Sequence, residues 1–433
     1  MNISIIGTGY VGLVSGVGFA DMGHEVTCVD IDEEKVNMIN QGEPPIYEKG
    51  LDELLKDLVS EGELKATTDT EEAVKNTDIT FICVGTPSKS DGDMDLSAVR
   101  SASKDIAGAL AGKDGYHVVC VKSTVVPGTT EKEVLPILEK SGRNVGEDFG
   151  LGMNPEFLRE GVALDDFLHP DRIVIGGYDK RSTDKIAEAY EDFYHPKFIT
   201  SIRTAEMIKY VSNSLLATKI SFANEISRLC EKVGVDVYEV MDGVGMDHRI
   251  KRDFLNAGAG FGGSCFPKDV KALVELARYK DVEPKILQSV LEVNESQPLH
   301  VVEMLEKKLG DLTGKKIAIL GLSFKAGTDD TRETRALPMA RELVRKGADV
   351  FGYDPMAMDE FAEEFSDIEL VDSIEEALEG ADGCIIQNDW DEFKSMGSDD
   401  FKGMERKLVV DGRRILDPEE LDEDIEYVGV GLG

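Results

Sequence analysis

Ile3-Ser-Ile-Ile-Gly7-Thr-Gly9-Tyr10-Val11-Gly12, answered by Val29-Asp30, is the stretch whose reading decides the fold. A short apolar run, a glycine turn and a helical period follow one another there, and an acidic residue closes the next apolar run. Gly7 permits the tight turn, Gly9 lets a pyrophosphate approach the backbone, and Gly12 lets helix and strand pack closely. The helix start adds N–H donors and positive potential, which suit a phosphate. The competing reading is a glycine turn that only packs. Asp30 can accept from both ribose hydroxyls and would repel a 2′-phosphate, so NAD is expected over NADP; Lys35, five residues on, is placed with the cofactor residues.

Outward from this unit, apolar runs at 3–6, 25–29, 79–84, 117–122, 150–153 and 172–175 alternate with turn chemistry and helical periods. That is how a parallel sheet with crossover helices reads. Gly85-Thr86-Pro87, Ser123-Thr124 and Asn154-Pro-Glu156 each follow one of these runs. In such a sheet the carboxyl ends of the strands share the rim where ligands bind, although each cluster by itself also reads as a turn cap. Met207, Ile208, Val211, Leu215, Ile220, Ile226 and Leu229 then recur at helical spacing, predicting a long helix from about 204 to 234. Strand-like runs resume at 316–320, 349–353, 384–387 and 408–410. The expected fold is α/β: two Rossmann-like parallel-sheet domains, 1–200 and 306–433, joined by a helical segment, 201–305. The second domain lacks a full glycine fingerprint and is not expected to hold a dinucleotide.

The chain has 433 residues, with 85 Asp plus Glu against 48 Lys plus Arg, a formal charge of −37. Nucleic acid and anionic membrane are both excluded as partners, since each is held through Lys and Arg. With 41% hydrophobic residues the chain is expected to fold around large cores, in a salt-rich cytosol that screens its self-repulsion. Six cysteines lie dozens of residues apart without metal-ligand or CxxC spacing, so no metal is expected. Residues 1–20 carry no charge, yet they have no basic flank and are interrupted by glycines, so a soluble, cytoplasmic protein is expected.

Two further groups carry chemistry. Lys209 and Asn213 are four apart, hence on one face of the long helix, at the head of an apolar stripe that predicts at least partial burial, a solvated turn being the competing reading. Gly260-Phe261-Gly262-Gly-Ser-Cys265-Phe-Pro-Lys268-Asp269 places a thiol in a glycine-rich loop, with Pro267 where a helix begins. A thiol there beside Lys268 gains thiolate character, and Asp269, four residues on, reaches the same site. The cysteines at 28, 83, 120 and 384 lie in or beside strands and read as small buried hydrophobes.

With Pro45-Ile-Tyr-Glu48, Asn154-Pro-Glu-Phe157-Leu158, Glu206-Met-Ile-Lys209-Tyr-Val-Ser-Asn213, the Cys265 loop and Phe324-Lys325-Ala-Gly-Thr-Asp-Asp-Thr-Arg332, the chain resembles the UDP-glucose 6-dehydrogenases of the UDP-glucose/GDP-mannose dehydrogenase family, in order over nearly its whole length. The resemblance implies oxidation of a UDP-sugar C6 alcohol to a carboxylate by two NAD+. It implies Cys265 as nucleophile, with Lys209, Asp269, Asn213, Glu156 and Thr124 serving proton transfer and hydrolysis. Gly7, Gly9, Tyr10, Val11, Gly12, Asp30, Lys35, Thr86, Thr124, Glu160 and Arg332 would hold NAD. Phe157, Leu158, Lys209, Asn213, Phe261, Gly262, Lys325 and one of Arg413 or Arg414 would contact UDP-glucose. Arg249 would reach the sugar site of a neighbouring subunit, which implies a homodimer at least. Related readings are a UDP-N-acetylhexosamine 6-dehydrogenase, a two-electron NAD-dependent dehydrogenase, which has no need of Cys265, and a noncatalytic NAD-binding regulator.

Overall fold

The computed structural model describes residues 1–87, 89 and 94–433. The chain divides into two compact units, Met1–Ser212 and Asn213–Gly433. In the first, eight strands form one sheet: β1 (Asn2–Ile6), β2 (Glu25–Val29), β3 (Leu64–Thr67), β4 (Ile79–Ile82), β5 (His117–Val121), β6 (Phe149–Met153), β7 (Ile173–Gly177) and β8 (Lys197–Thr200), in the order β3-β2-β1-β4-β5-β6-β7-β8. The central strands are buried on both faces, which is why they read as unbroken apolar runs. Phe19 fills one side of the core, its ring 5.1 Å from those of Phe81, Phe167 and Tyr190.

The register of the strands sets which residues meet at the edge of the sheet. Ile6 pairs with Val29 and with Ile82, Ile82 with Val121, and Val121 with Met153. The residues after these strand ends, Gly7, Asp30, Cys83, Lys122 and Asn154, therefore emerge in one row along the carboxyl edge. The expectation of a wholly parallel sheet needs one correction: β7 runs antiparallel to β6. A parallel neighbour would require the chain to cross back to the other end of the sheet. Instead residues 154–172 stay beside the edge where β6 ended, and they carry Glu156, Phe157 and Leu158. The edge strands β3 and β8 were not expected, because both are short and β8 leaves Phe198 and Ile199 half exposed, so neither presents an apolar run.

His117 sits wholly inside this unit, its Nδ1 2.9 Å from the Thr77 carbonyl and Nε2 2.7 Å from Thr80 Oγ1. Burial pushes its imidazole down to about 3. It is a structural histidine.

The helix Ile202–Val233, 32 residues long, carries the chain into the second unit. There Val237–Gly245, Phe266–Tyr279 and Lys285–Leu309 are helical. A second sheet comprises β9 (Lys316–Leu320), β10 (Asp349–Tyr353), β11 (Glu369–Leu370), β12 (Gly383–Ile386), β13 (Leu408–Asp411) and β14 (Glu426–Gly429). Its order, β11-β10-β9-β12-β13-β14, repeats that of the first six strands of the first sheet, and every pairing is parallel. The analogy extends to the first turn. Asp354 after β10 accepts from the N–H groups of Leu322 and Ser323, as Asp30 after β2 accepts from Thr8.

Candidate active site

The three fingerprint glycines separate once the backbone is known. Gly7 has φ +96°, and a Cβ on Gly12 would lie 1.8 Å from the Gly7 carbonyl oxygen, so turn geometry and packing account for both. Gly9 has an ordinary φ of −67°, and a Cβ there would meet no protein atom within 4 Å. Packing gives no reason for glycine at position 9; close approach by a ligand does. Thr8 Oγ1 and N donate to Asp30 Oδ2 at 2.6 and 2.8 Å, and Asp32 N donates to Oδ1 at 3.1 Å. Burial opposes the Asp30 charge, but these donors outweigh it and hold the carboxyl below its usual range. Lys35 lies on the next helix, Glu33–Asn40, close enough to favour the same ionised form. An exposed glycine, the first N–H groups of the helix Tyr10–Asp21 and an ionised Asp30 fit a dinucleotide without a 2′-phosphate. Val11 is partly buried in the first turn of that helix.

Along the same edge, Thr86 Oγ1 donates to the Thr124 carbonyl at 2.9 Å, and Ser123 Oγ to that of Val84 at 2.6 Å, tying the turns after β4 and β5 together. Glu206, buried on the long helix, accepts from Gly128 N and Thr130 N, which fixes the continuation of the Thr124 turn. Lys209 follows one turn later, its Nζ 2.8 Å from Glu156 Oε1, the side chains only 4% and 7% exposed. Glu156 Oε2 accepts from Leu158 N at 2.7 Å. Burial works against the Glu156 carboxylate, yet the Lys209 charge and these hydrogen bonds keep its pKa below the ordinary value. Phe157 lies beside the pair, with the Arg172 guanidinium 3.9 Å and Lys209 Nζ 5.5 Å from its ring centre. Leu158 packs against the core, and Glu160 follows, partly buried.

In the second unit Asn213 Nδ2 donates to Asp269 Oδ2 at 2.6 Å, and Lys268 Nζ reaches Asp269 Oδ1 at 2.8 Å. Asp269 is 1% exposed. Cys265 precedes the helix Phe266–Tyr279, and Pro267 is its second residue, as expected. Cys265 alone among the six cysteines is exposed; burial pushes the Cys28 and Cys83 thiols up to about 12. The glycines around Cys265 answer to the protein's own packing: Cβ atoms on Gly260, Gly262 and Gly263 would strike Asn294 Oδ1, the Glu333 carbonyl and the Phe324 ring at 2.7, 2.4 and 2.7 Å. Close packing of protein on protein explains them, and Asn294 bonds both N–H and C=O of buried Phe261.

Of the remaining candidate residues, Arg332 and Arg413 belong to segments that flank the Cys265 loop, since Gly263 N donates to the Arg332 carbonyl at 2.9 Å and Ala259 N to that of Gly412 at 3.0 Å. Arg332 forks onto Asp330 and Arg249 onto Asp247, both largely exposed. Lys325 Nζ lies 5.6 Å from the Phe324 ring centre. Arg414 is committed to an ion pair with Asp236, at 2.7 Å, whereas Arg413 gives Nε to the Gln387 carbonyl.

Sequence reasoning passed over Lys122, Thr8 and the part played by Glu48. Lys122 is buried, with Nζ 2.9 Å from Asn154 Oδ1 and 3.2 Å from Tyr190 Oη. Burial lowers its pKa, only partly opposed by Cys83, Cys120 and Glu156. A charge ending the apolar run His-Val-Val-Cys-Val was the available signal.

Three models of the UDP-glucose/GDP-mannose dehydrogenase family match in order: its NAD binding domain at residues 1–194, central domain at 203–296 and UDP binding domain at 318–418. The chain is 46% identical to the UDP-glucose 6-dehydrogenase AglM of Haloferax volcanii, over 96% of this chain and 97% of that one. Its fold matches a UDP-glucose dehydrogenase from Pyrobaculum islandicum with a TM-score of 0.93 and 42% identity, covering 100% and 98% of the two chains. A UDP-D-ManNAc dehydrogenase from Pyrococcus horikoshii matches with a TM-score of 0.88 and 33% identity, covering all of both.

Proposed function

Since the chain belongs to the UDP-glucose/GDP-mannose dehydrogenase family, we propose that it oxidises UDP-glucose to UDP-glucuronate in two steps, through a thioester on Cys265. The observation that carries this reading is the contrast among the cysteines: one exposed thiol heads a helix whose fourth residue is a buried carboxylate, while the others are buried. A two-electron dehydrogenase has no use for that thiol.

The residues divide the work by their chemistry. NAD+, held by the Gly7–Gly12 turn, Asp30, Thr86 and Glu160, supplies the hydride acceptor for each oxidation. Asp269 takes the C6 hydroxyl proton, the Lys209 ammonium stabilises the negative charge that develops on that oxygen, and Asn213 and Thr124 serve the same step. Glu156 fixes the Lys209 ammonium at 2.8 Å, and Asn213 fixes Asp269 at 2.6 Å, so neither group needs to reorganise during proton transfer. The Cys265 thiolate then adds to the C6 aldehyde, forming a C–S bond and an alkoxide that takes up a proton. Loss of that proton with the second hydride leaves the thioester. Water, deprotonated with help from Glu156 or Asp269, cleaves the C–S bond and returns the thiolate. Covalent capture keeps the aldehyde in place while the cofactor is exchanged. Phe157, Leu158, Phe261, Gly262 and Lys325 contact the UDP-sugar. Arg413, and not the ion-paired Arg414, supplies the cationic contact at the end of β13.

The long helix leaves Leu215, Phe222, Leu229 and Val233 half exposed at intervals of seven, seven and four, a stripe that a second copy would cover. We read the chain as a homodimer in which Arg249 reaches the neighbouring sugar site. Six free cysteines suit a reducing cytoplasm, and among the described residues no helix is long and apolar enough to cross a membrane.

The test is NADH formed per sugar, followed at 340 nm with UDP-glucose, UDP-galactose, UDP-N-acetylglucosamine and UDP-N-acetylmannosamine, for parent and Cys265→Ser. Two NADH per UDP-glucose from the parent, and loss of steady turnover in the variant, are expected. Faster turnover of an N-acetylated sugar would assign the chain to that substrate. Two NADH per sugar at parental rate from Cys265→Ser would remove the thiol from the mechanism.

A further inference from the structure

Pro45-Ile-Tyr-Glu48 lies far in sequence from the other candidate groups except the glycine turn, and the proposed reaction gives it no task. The structure places Glu48, 4% exposed, among three donors. Tyr10, the first residue of the helix after the glycine turn, donates its hydroxyl to Glu48 Oε2. Gly161 N donates to the same Oε2 at 2.9 Å and to Tyr10 Oη at 2.7 Å, and Ala163 N donates to Glu48 Oε1 at 2.8 Å. A buried carboxylate persists only where such donors replace its water, so this arrangement is specified and not incidental.

Its location carries the consequence. Residues 156–161 follow β6 and return along the carboxyl edge of the sheet because β7 is antiparallel. The start of the segment is pinned by Glu156, through Lys209 and Leu158 N. The far end is pinned by Glu48. Between the two buried carboxylates lie Phe157 and Leu158, proposed substrate contacts, and Glu160, a proposed cofactor contact. The far pin is shared with Tyr10, beside the glycine where the pyrophosphate would approach.

We propose that Glu48 is a positioning residue: it locks the 156–161 segment to the first turn of the cofactor-binding helix, so that the substrate contacts are held in place before UDP-glucose arrives. The proposal rests on the assignment of Phe157 and Leu158 to the UDP-sugar. Glu48→Gln keeps the size of the side chain but turns one acceptor into a donor facing N–H groups, and Tyr10→Phe removes the hydroxyl alone.

The experiment is calorimetric titration of UDP-glucose into the parent, each variant and the double variant, with and without saturating NADH, beside their melting temperatures. Glu48→Gln is expected to weaken UDP-glucose about tenfold and Tyr10→Phe by a smaller factor. The double variant should be no weaker than Glu48→Gln, because both changes break one lock. UDP-glucose affinities within twofold of the parent in both single variants, or multiplicative losses in the double, would overturn the proposal, whatever the melting temperatures do. If Glu48→Gln does not fold, Tyr10→Phe decides alone by the same criterion. A parent that binds UDP-N-acetylmannosamine but not UDP-glucose refutes the substrate reading instead, and the titrations are then judged with that sugar.

Discussion

Gly9→Ala separates a glycine kept for a ligand from one kept for the fold. The added methyl meets no protein atom within 4 Å, and φ −67°, ψ −172° is open to alanine. Two small terms act on stability. Alanine is a poorer N-cap than glycine by about 0.5 to 1 kcal/mol, and a Gly→Ala change recovers about 0.4 to 1 kcal/mol by restricting the unfolded chain. They nearly cancel, so the melting temperature should move by less than about 4 °C. Binding is another matter. A methyl between backbone and pyrophosphate lengthens the N–H to phosphate hydrogen bonds, and a charge-assisted bond contributes about 1.5 to 3 kcal/mol, so losing one weakens NAD+ roughly tenfold to a hundredfold. Gly12→Ala is the contrasting control, since its Cβ would lie 1.8 Å from the Gly7 carbonyl oxygen and the turn itself must shift. It should lose stability together with affinity. Fluorescence titration with NADH and thermal unfolding measure both quantities. An NADH affinity within twofold of the parent in folded Gly9→Ala would show that the cofactor does not pass over that turn.

His117 is neutral when folded down to about pH 3, whereas in the unfolded chain it takes up a proton below its ordinary value of about 6.5. Its contribution to stability is complete above that pH and is lost as the pH falls, by about 2 kcal/mol at pH 5. In urea unfolding His117→Gln should show a shallower loss between pH 7 and 5 than the parent; equal slopes would refute the assignment. The 85 acidic against 48 basic residues predict a dependence on molar KCl, because the screening length falls from about 10 Å at 0.1 M to about 3 Å at 1 M. Melting temperature and turnover unchanged from 0.1 to 2 M KCl would count against a salt-rich home.

The two sheets, the long helix and the Lys209, Asn213 and Cys265 groups were legible in the chain because their signals are local. Apolar runs, a 3.6-residue period and the backbone demands of glycine and proline act between residues a few positions apart. Gly7 and Asp30 needed one step more, a strand return, and the regularity of a βαβ unit supplies it. What long-range contact determines could not be read in this way. The run Ile173–Gly177 carries no mark of its direction, which is settled by where residues 154–172 find room beside the sheet edge. Glycines 260, 262 and 263 look alike whether a ligand or the protein approaches them, until Asn294, Phe324 and Glu333 are in position. Glu48 shows the limit most plainly. Its partners are 38, 113 and 115 residues away, and a carboxylate acquires a role only when folding removes its water and brings those donors to it.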